Sequence, residues 1–283
     1  MVTKKKCRQF ADIKKLYNFG EIEMKITMLG TGNALVTECY NTCFFIENQQ
    51  KNFLMDGGGG NLIMRQLKNA NYNWFEVNNI FVTHKHTDHF LGIFWLVRMI
   101  LQFMSSGDYK NDAFIYSHAE VLNLIRDFSK KILLEKENKF LDKKLHLIEV
   151  TDGENLKIID KNFTFFAIRS KKAKQFGFSM EIEKNKKLTC CGDEPYTEKI
   201  KNYVENSDWL MHEAFCLYSE REIFKPYEKN HSTVKDACEF AEKLFIKNLI
   251  LYHTEDKNLK NREKLYKAEG EKYFSGNLFI PKD

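Results

Sequence analysis

Thr83-His84-Lys85-His86-Thr87-Asp88-His89 is the stretch on which the reading of this chain turns. It follows the apolar triplet Ile80-Phe81-Val82, a strand candidate, and precedes an apolar helix that runs through about Met104. Three of the chain's eight histidines fall inside it. In an extended strand-to-loop segment alternate residues face one way, so His84 and His86 converge on one ion. Asp88 and His89, at the turn into the helix, face a second ion beside it. Imidazole and carboxylate together suit zinc, and also manganese or iron. A solvated loop that merely caps the helix with Asp88 or Thr87 has no use for a histidine triplet.

Working outward, residues 25–29 read as a strand that runs into Gly30-Thr31-Gly32-Asn33, and residues 43–46 and 53–55 as a hairpin ending in Asp56 and the glycines 57–60. Leu35 stands where a dinucleotide-binding loop needs its third glycine, which excludes that reading. Downstream, residues 119–128 place Val121, Leu122, Ile125 and Phe128 at helical spacing. Four strand candidates follow at 145–150, 163–168, 178–182 and 188–191, then a helix at 197–204 and a buried strand at 209–211. From Ser232 an amphipathic helix begins, with Val234, Ala237, Cys238, Ala241, Leu244 and Phe245 on one face. It leads to a strand at 248–252 that ends at His253. Strand-rich halves, each carrying helices, fit an α+β sandwich of two sheets better than an alternating βαβ fold. Residues 21–283 are expected to form one domain, and residues 1–20 a basic appendage compatible with a short helix.

Composition bounds the function. With 283 residues, 43% hydrophobic, 29% charged, Gly 14 and Pro 3, the chain is neither collagen-like, low-complexity nor largely disordered. The longest apolar run, residues 90–97, is eight long before Arg98 interrupts it, against the roughly 18–20 that cross a bilayer, so no membrane span is expected. Lys4, Lys5 and Lys6 are followed by Asp12, Lys14 and Lys15 rather than an apolar segment, so no secretory signal is expected. The seven cysteines are odd in number, scattered and free of any CxxC pair, which fits reduced thiols and a cytoplasmic location. A net charge of +5 permits a polyanionic partner without demanding one.

Further candidates lie at strand ends. Asp193 follows an apolar strand through Cys190-Cys191-Gly192, where a carboxylate can offer one oxygen to each of two ions. His253 closes the strand at 248–252. Glu213 and His231 are candidates for proton transfer: an imidazole held by a carboxylate can protonate a leaving oxyanion near neutral pH. Asp56 is expected behind the ligands, accepting a hydrogen bond from a ligand histidine and setting its tautomer. His118 and His146 are expected to be structural.

Several ordered motifs then resemble one family over residues 25–255: Leu29-Gly-Thr-Gly-Asn33, Phe53-Leu-Met-Asp-Gly-Gly58, the HxHxDH motif from His84 to His89, Cys191-Gly-Asp193-Glu, His212-Glu213-Ala214, His231-Ser232-Thr233 and Leu251-Tyr-His253. These are similar to the motifs of metallo-β-lactamase-fold hydrolases, and within them the ribonuclease Z-like branch of phosphodiesterases. The resemblance implies a four-layer αββα sandwich, two mixed β-sheets flanked by helices. It implies His84, His86, Asp88, His89, Asp193 and His253 as metal ligands for one or two ions. Asp88, Glu213 and His231 become the catalytic set.

Two departures from that pattern bear on function. Alignment on Phe176-Gly-Phe178 puts Arg169 where the family carries a further histidine, and guanidinium has no lone pair for a metal. The first site is thereby reduced to His84, His86 and Asp193, the second keeps Asp88, His89, Asp193 and His253, and Arg169 becomes a candidate clamp for a substrate phosphate. From Arg169 to Asp193 the interval is 24 residues, room for a hairpin but not for the long arm with which ribonuclease Z binds tRNA. The expectation is therefore a metal-dependent hydrolase, a phosphodiesterase acting through a metal-activated water. Its substrate would be a small phosphodiester or one derived from nucleic acid, without a membrane partner and with room for a homodimer. The alternatives are a metal-poor, catalytically weak anion- or nucleotide-binding protein of the same fold, and a tRNA 3′-processing endonuclease.

Overall fold

The computed structural model describes residues 16–18 and 24–282. Its strands are β1 (Leu16–Asn18), β2 (Met24–Gly30), β3 (Cys43–Asn48), β4 (Lys51–Met55), β5 (Asn79–Phe81), β6 (Ala113–Ser117), β7 (Leu145–Glu149), β8 (Asn155–Ile158), β9 (Lys161–Ala167), β10 (Phe176–Glu183), β11 (Lys186–Cys190), β12 (Trp209–Glu213), β13 (Asn248–Tyr252) and β14 (Asn277–Phe279). The helices are α1 (Leu62–Asn69), α2 (Thr87–Ser106), α3 (Ala119–Ile132), α4 (Glu135–Asn138), α5 (Lys201–Val204), α6 (Arg221–Phe224), α7 (Val234–Lys243) and α8 (Arg262–Gly270).

Strands β1 to β7 form one sheet in chain order, and β14 to β8 form the other. Each sheet begins antiparallel and ends parallel: β4 to β7 pair in parallel in the first, β11 to β14 in the second. Alternation along the strands explains the layering. Phe44 and Ile46 of β3 and Phe53 and Met55 of β4 point between the sheets, while Cys43, Phe45 and Leu54 point to the helices outside. In the second sheet Met211, Ile250 and Tyr252 face inward, and Leu210, Leu249 and Leu251 face the outer helices. Strands buried on both faces read as near-continuous apolar runs, which is why they were visible in the sequence. Phenylalanines knit the sheets together, with Phe53 to Phe163 at 4.7 Å and Phe81 to Phe178 at 5.8 Å between ring centroids. The four-layer α+β sandwich is thus the observed architecture.

Some expectations are corrected. Residues 16–18, assigned to an appendage compatible with a helix, form a strand that pairs antiparallel with β2, and the rest of the 1–20 segment lies outside the described residues. Strands β6, β8 and β14 and helices α1 and α8 were not foreseen; β14 is three residues long, too short to show a period. By length and composition α2, at 20 residues, is long and apolar enough to cross a membrane, which the eight-residue run did not anticipate; half of its apolar window is buried in the protein. Phe90, Ile93, Leu96 and Val97 form its buried face.

Candidate metal centre

The metal candidates gather where the parallel strands of both sheets end. β5 ends at Phe81, and the extended residues 82–86 carry His84 and His86 to the first turn of α2, which holds Asp88 and His89. Asp193 follows β11, Glu213 ends β12, and His253 follows β13 in a left-handed backbone conformation, φ 56°.

Three groups of donor atoms lie within 4.8 Å of one another: His84, His89 and Asp193; Asp88, His89 and His253; and Asp193, His231 and His253. Asp193 Oδ2 is 3.7 Å from the Nε2 atoms of His84, His89 and His253 alike. Asp88 Oδ2 is 3.3 Å from His89 Nε2 and 3.5 Å from His253 Nε2. Among the described residues His86 belongs to none of these groups; its Nδ1 instead lies 2.8 Å from His84 Nε2. The trio expected at the first site is thus assembled with His89 in the place of His86.

Asp56 sets two tautomers at once. It accepts from the backbone N–H and the hydroxyl of Thr83, each at 2.8 Å, and from His89 Nδ1 at 2.7 Å. With its proton given to Asp56, Thr83 Oγ1 is left to accept from His84 Nδ1 at 2.9 Å. Both imidazoles therefore turn Nε2 toward Asp193, bare in His84 and available in His89 once a bound cation displaces its proton. Glycines make this arrangement compact. A Cβ on Gly92 would lie 1.7 Å from Gly57 O, so α2 and the loop after Asp56 meet backbone to backbone, with Gly57 N–H donating to His89 O at 3.0 Å. Gly57 thus serves the approach of α2 to Asp56.

Electrostatics fit the same picture. Burial holds His84 well below the ordinary imidazole range. His89 is equally buried, but Asp88 and Asp56 outweigh that penalty and hold it above that range. Asp88 and Asp193 remain ionised well below the usual carboxylate range: burial opposes this, and the surrounding histidines overcome it. His89 Nε2 and both ring nitrogens of His253 are buried without a hydrogen-bond partner, an arrangement costing about 1–3 kcal/mol per group that a bound cation would offset. Bare imidazole nitrogens and ionised carboxylates are the donor set of a zinc, manganese or iron site, and the residues present fit one.

Beside this cluster His231 Nδ1 stands 3.6 Å from Glu213 Oε2, and the imidazole lies between Phe215, at 4.8 Å, and His253, at 5.1 Å. Glu213 also accepts from the backbone N–H of Ser232. His212 faces away, against Phe240, and donates to Glu213 O. Arg169 departs from its expected role. Its φ is 63°, and its half-exposed guanidinium donates to Asp152 Oδ2 at 2.7 Å instead of reaching the histidines. Beside Asp193 stands a residue that the sequence reading overlooked: Gln175 donates to Asp193 Oδ1 and accepts from Asp193 N–H. No pattern could have marked it, because a lone glutamine in a lysine-rich loop carries no periodicity or charge signal. The interval before Asp193 is the β10–β11 hairpin, as its length required.

The sequence is 27% identical to the ribonuclease Z of Archaeoglobus fulgidus over 311 residues, covering 92% of this chain and 95% of that protein. Among solved structures, the metallo-β-lactamase-fold protein YhfI of Bacillus subtilis superposes with a TM-score of 0.72 at 16% identity, over 92% of this chain and 96% of that one. The short form of human tRNase Z superposes with a TM-score of 0.68 at 20% identity, over 91% of this chain and 96% of that one. These likenesses establish the metallo-β-lactamase fold. Residues 24–274 match the family described as anti-Pycsar protein Apyc1, and it is to this family that the chain belongs.

Proposed function

We propose that this chain is a metal-dependent hydrolase that cleaves phosphodiesters. The observation that carries the reading is the His231–Glu213 pair set directly against the histidine–aspartate cluster, His231 being 5.1 Å from His253 between ring centroids. His84, Asp88, His89, Asp193 and His253 would hold one or two ions, with His86 at the edge. Such an ion supplies Lewis acidity that activates water and neutralises charge on the phosphoryl oxygens.

The chain's own residues do the rest. Asp56 keeps His84 and His89 in the tautomer that presents Nε2. Glu213, fixed by the Ser232 N–H, faces the Nδ1 side of His231 at 3.6 Å, where its charge favours the imidazolium, so that Nε2 can carry a proton to the departing oxygen. Phe215 and His253 fix the plane of that ring. The likeness to ribonuclease Z supports a second reading, cleavage of precursor tRNA, but the β10–β11 hairpin leaves no tRNA-binding arm between Arg169 and Asp193.

The test is elemental analysis of the purified chain, followed by turnover of aryl phosphodiesters with zinc or manganese. His231→Ala is expected to slow substrates with poor leaving groups by about 10²–10⁴, and to leave those with good leaving groups nearly unchanged. Metal-loaded protein that turns over no phosphodiester overturns the reading. Efficient precursor-tRNA cleavage would replace it with the second.

A further inference from the structure

We infer that Lys172, not Arg169, is the cation that grips the substrate's phosphate; the inference rests on the phosphodiesterase reading and deepens it. Lys172 lies in the loop between β9 and β10. Ser170 Oγ accepts from the backbone N–H groups of Lys172, at 3.1 Å, and Ala173, at 3.3 Å, which folds the loop into a tight turn. The same hydroxyl donates to Glu194 Oε1 at 2.7 Å. Glu194 is nearly fully buried, adjoins Asp193 in the chain, and also accepts from Asn230, the residue before His231. One carboxylate therefore ties together the lysine loop, the central aspartate and the proton-transfer histidine.

The ammonium stands at the meeting point of these elements. Its Nζ is 3.3 Å from Glu194 Oε1 and 3.3 Å from His231 Nε2. His231 in turn shares with Asp193 and His253 a group of donor atoms within 4.8 Å of one another, so the ammonium lies one contact away from the cluster. Its side chain is 27% exposed, while Glu194 beneath it is 3% exposed, so the ammonium marks the boundary between the buried site and solvent. An ammonium has three donors. Two are directed at Glu194 and His231, and the third remains for an incoming anion. A compact cation on a flexible stem suits a phosphate oxygen at such a mouth. Arg169, half-exposed and paired with Asp152, has no comparable route to the cluster. When the ammonium turns to a phosphate oxygen it releases His231 Nε2, which can then take a proton from solvent and give it to the leaving oxygen.

The experiment uses the full-length chain loaded with zinc, with inorganic phosphate as the probe and an aryl phosphodiester as substrate. Lys172→Met, which keeps the stem and removes the charge, is expected to weaken phosphate binding about tenfold and to raise KM by a similar factor, with metal content unchanged. Lys172→Arg is expected to stay within about threefold of wild type, and Lys171→Ala, an exposed neighbour in the same loop, to match it. Circular dichroism and metal content establish that each variant is folded. Phosphate affinity unchanged in a folded Lys172→Met variant overturns the inference, as does Lys172→Arg binding phosphate as poorly as Lys172→Met. If no phosphodiester is turned over but phosphate binding still falls, the clamp stands and the phosphodiesterase reading fails.

Discussion

The two halves of this protein share one architecture and contribute to the site in opposite ways. Each half is a seven-stranded sheet that starts antiparallel and ends in parallel strands, with helices packed on its outer face. The first half delivers His84, His86, Asp88 and His89 from one strand end, in consecutive turns of chain. The second delivers one residue per strand end: Asp193 after β11, Glu213 on β12 and His253 after β13. Four donors within six residues are placed by local geometry, the extended segment and the first turn of α2. The second set has no local geometry in common, and only the parallel register of β11, β12 and β13 brings it together. The first half therefore presents a candidate half-site built from local geometry, which the second half completes.

The strongest test of that division is Asp193→Ala. Asp193 Oδ2 lies 3.7 Å from the Nε2 atoms of three histidines drawn from both halves. Its loss should strip bound metal and lower phosphodiester turnover by about 10³-fold, checked by elemental analysis and steady-state kinetics. Full metal retention would show that the first half holds its ions alone.

A weaker blow falls on the seam between the halves. Arg262 of α8 is buried, and its guanidinium donates to Thr254 Oγ1 at 2.5 Å, Thr31 Oγ1 at 2.6 Å and Pro281 O at 3.1 Å. Thr254 also donates through its backbone N–H to Thr31 O at 2.9 Å, so this knot fixes the residue after His253 to the first sheet. Arg262→Met should cost about 2–4 kcal/mol in chemical denaturation and loosen metal binding. An unchanged midpoint would mean that the core alone joins the halves.

The smallest effect is confined to the first half. His118, at the N-terminus of α3, is buried with neither ring nitrogen hydrogen-bonded, and burial, aided by the Lys174 charge, pushes its pKa down to about 4. The unfolded chain binds that proton with a pKa near 6.5, so the contribution is full above pH 6.5 and is lost as pH falls toward 4. Exposed charges nearby and solvent screening limit it to about 1–2 kcal/mol. Urea unfolding at pH 7.5 and pH 5 should show a slope that His118→Phe reduces. The same slope in the variant would assign the acid sensitivity to other buried histidines, His84 first among them.

Legibility in the sequence follows the division between the halves. HxHxDH could be read because its donors are adjacent, and strands such as β13 because burial on both faces leaves unbroken apolar runs. Asp193, Glu213 and His253 were nominated only by order and resemblance, and the structure brings Asp193 and His253 to the cluster and Glu213 to His231. Arg169 shows where that approach stops: alignment on Phe176-Gly-Phe178 counts residues, but cannot follow a loop whose φ of 63° at Arg169 turns the side chain onto Asp152. Gln175, Glu194 and Lys172 are ordinary residues of a polar loop or a strand end in the sequence, and acquire meaning only from their neighbours in space. By itself the sequence determined the alternation of strands and helices, the apolar faces of two sheets and one half-site, because each depends on residues close in the chain. The tertiary structure alone decided that His89 joins His84 and Asp193 while His86 does not, and that Lys172 reaches His231 while Arg169 turns away. Those outcomes depend on angstrom-scale placement of separate strand ends and loops, which hydrogen bonds over long sequence separations impose and no local pattern encodes.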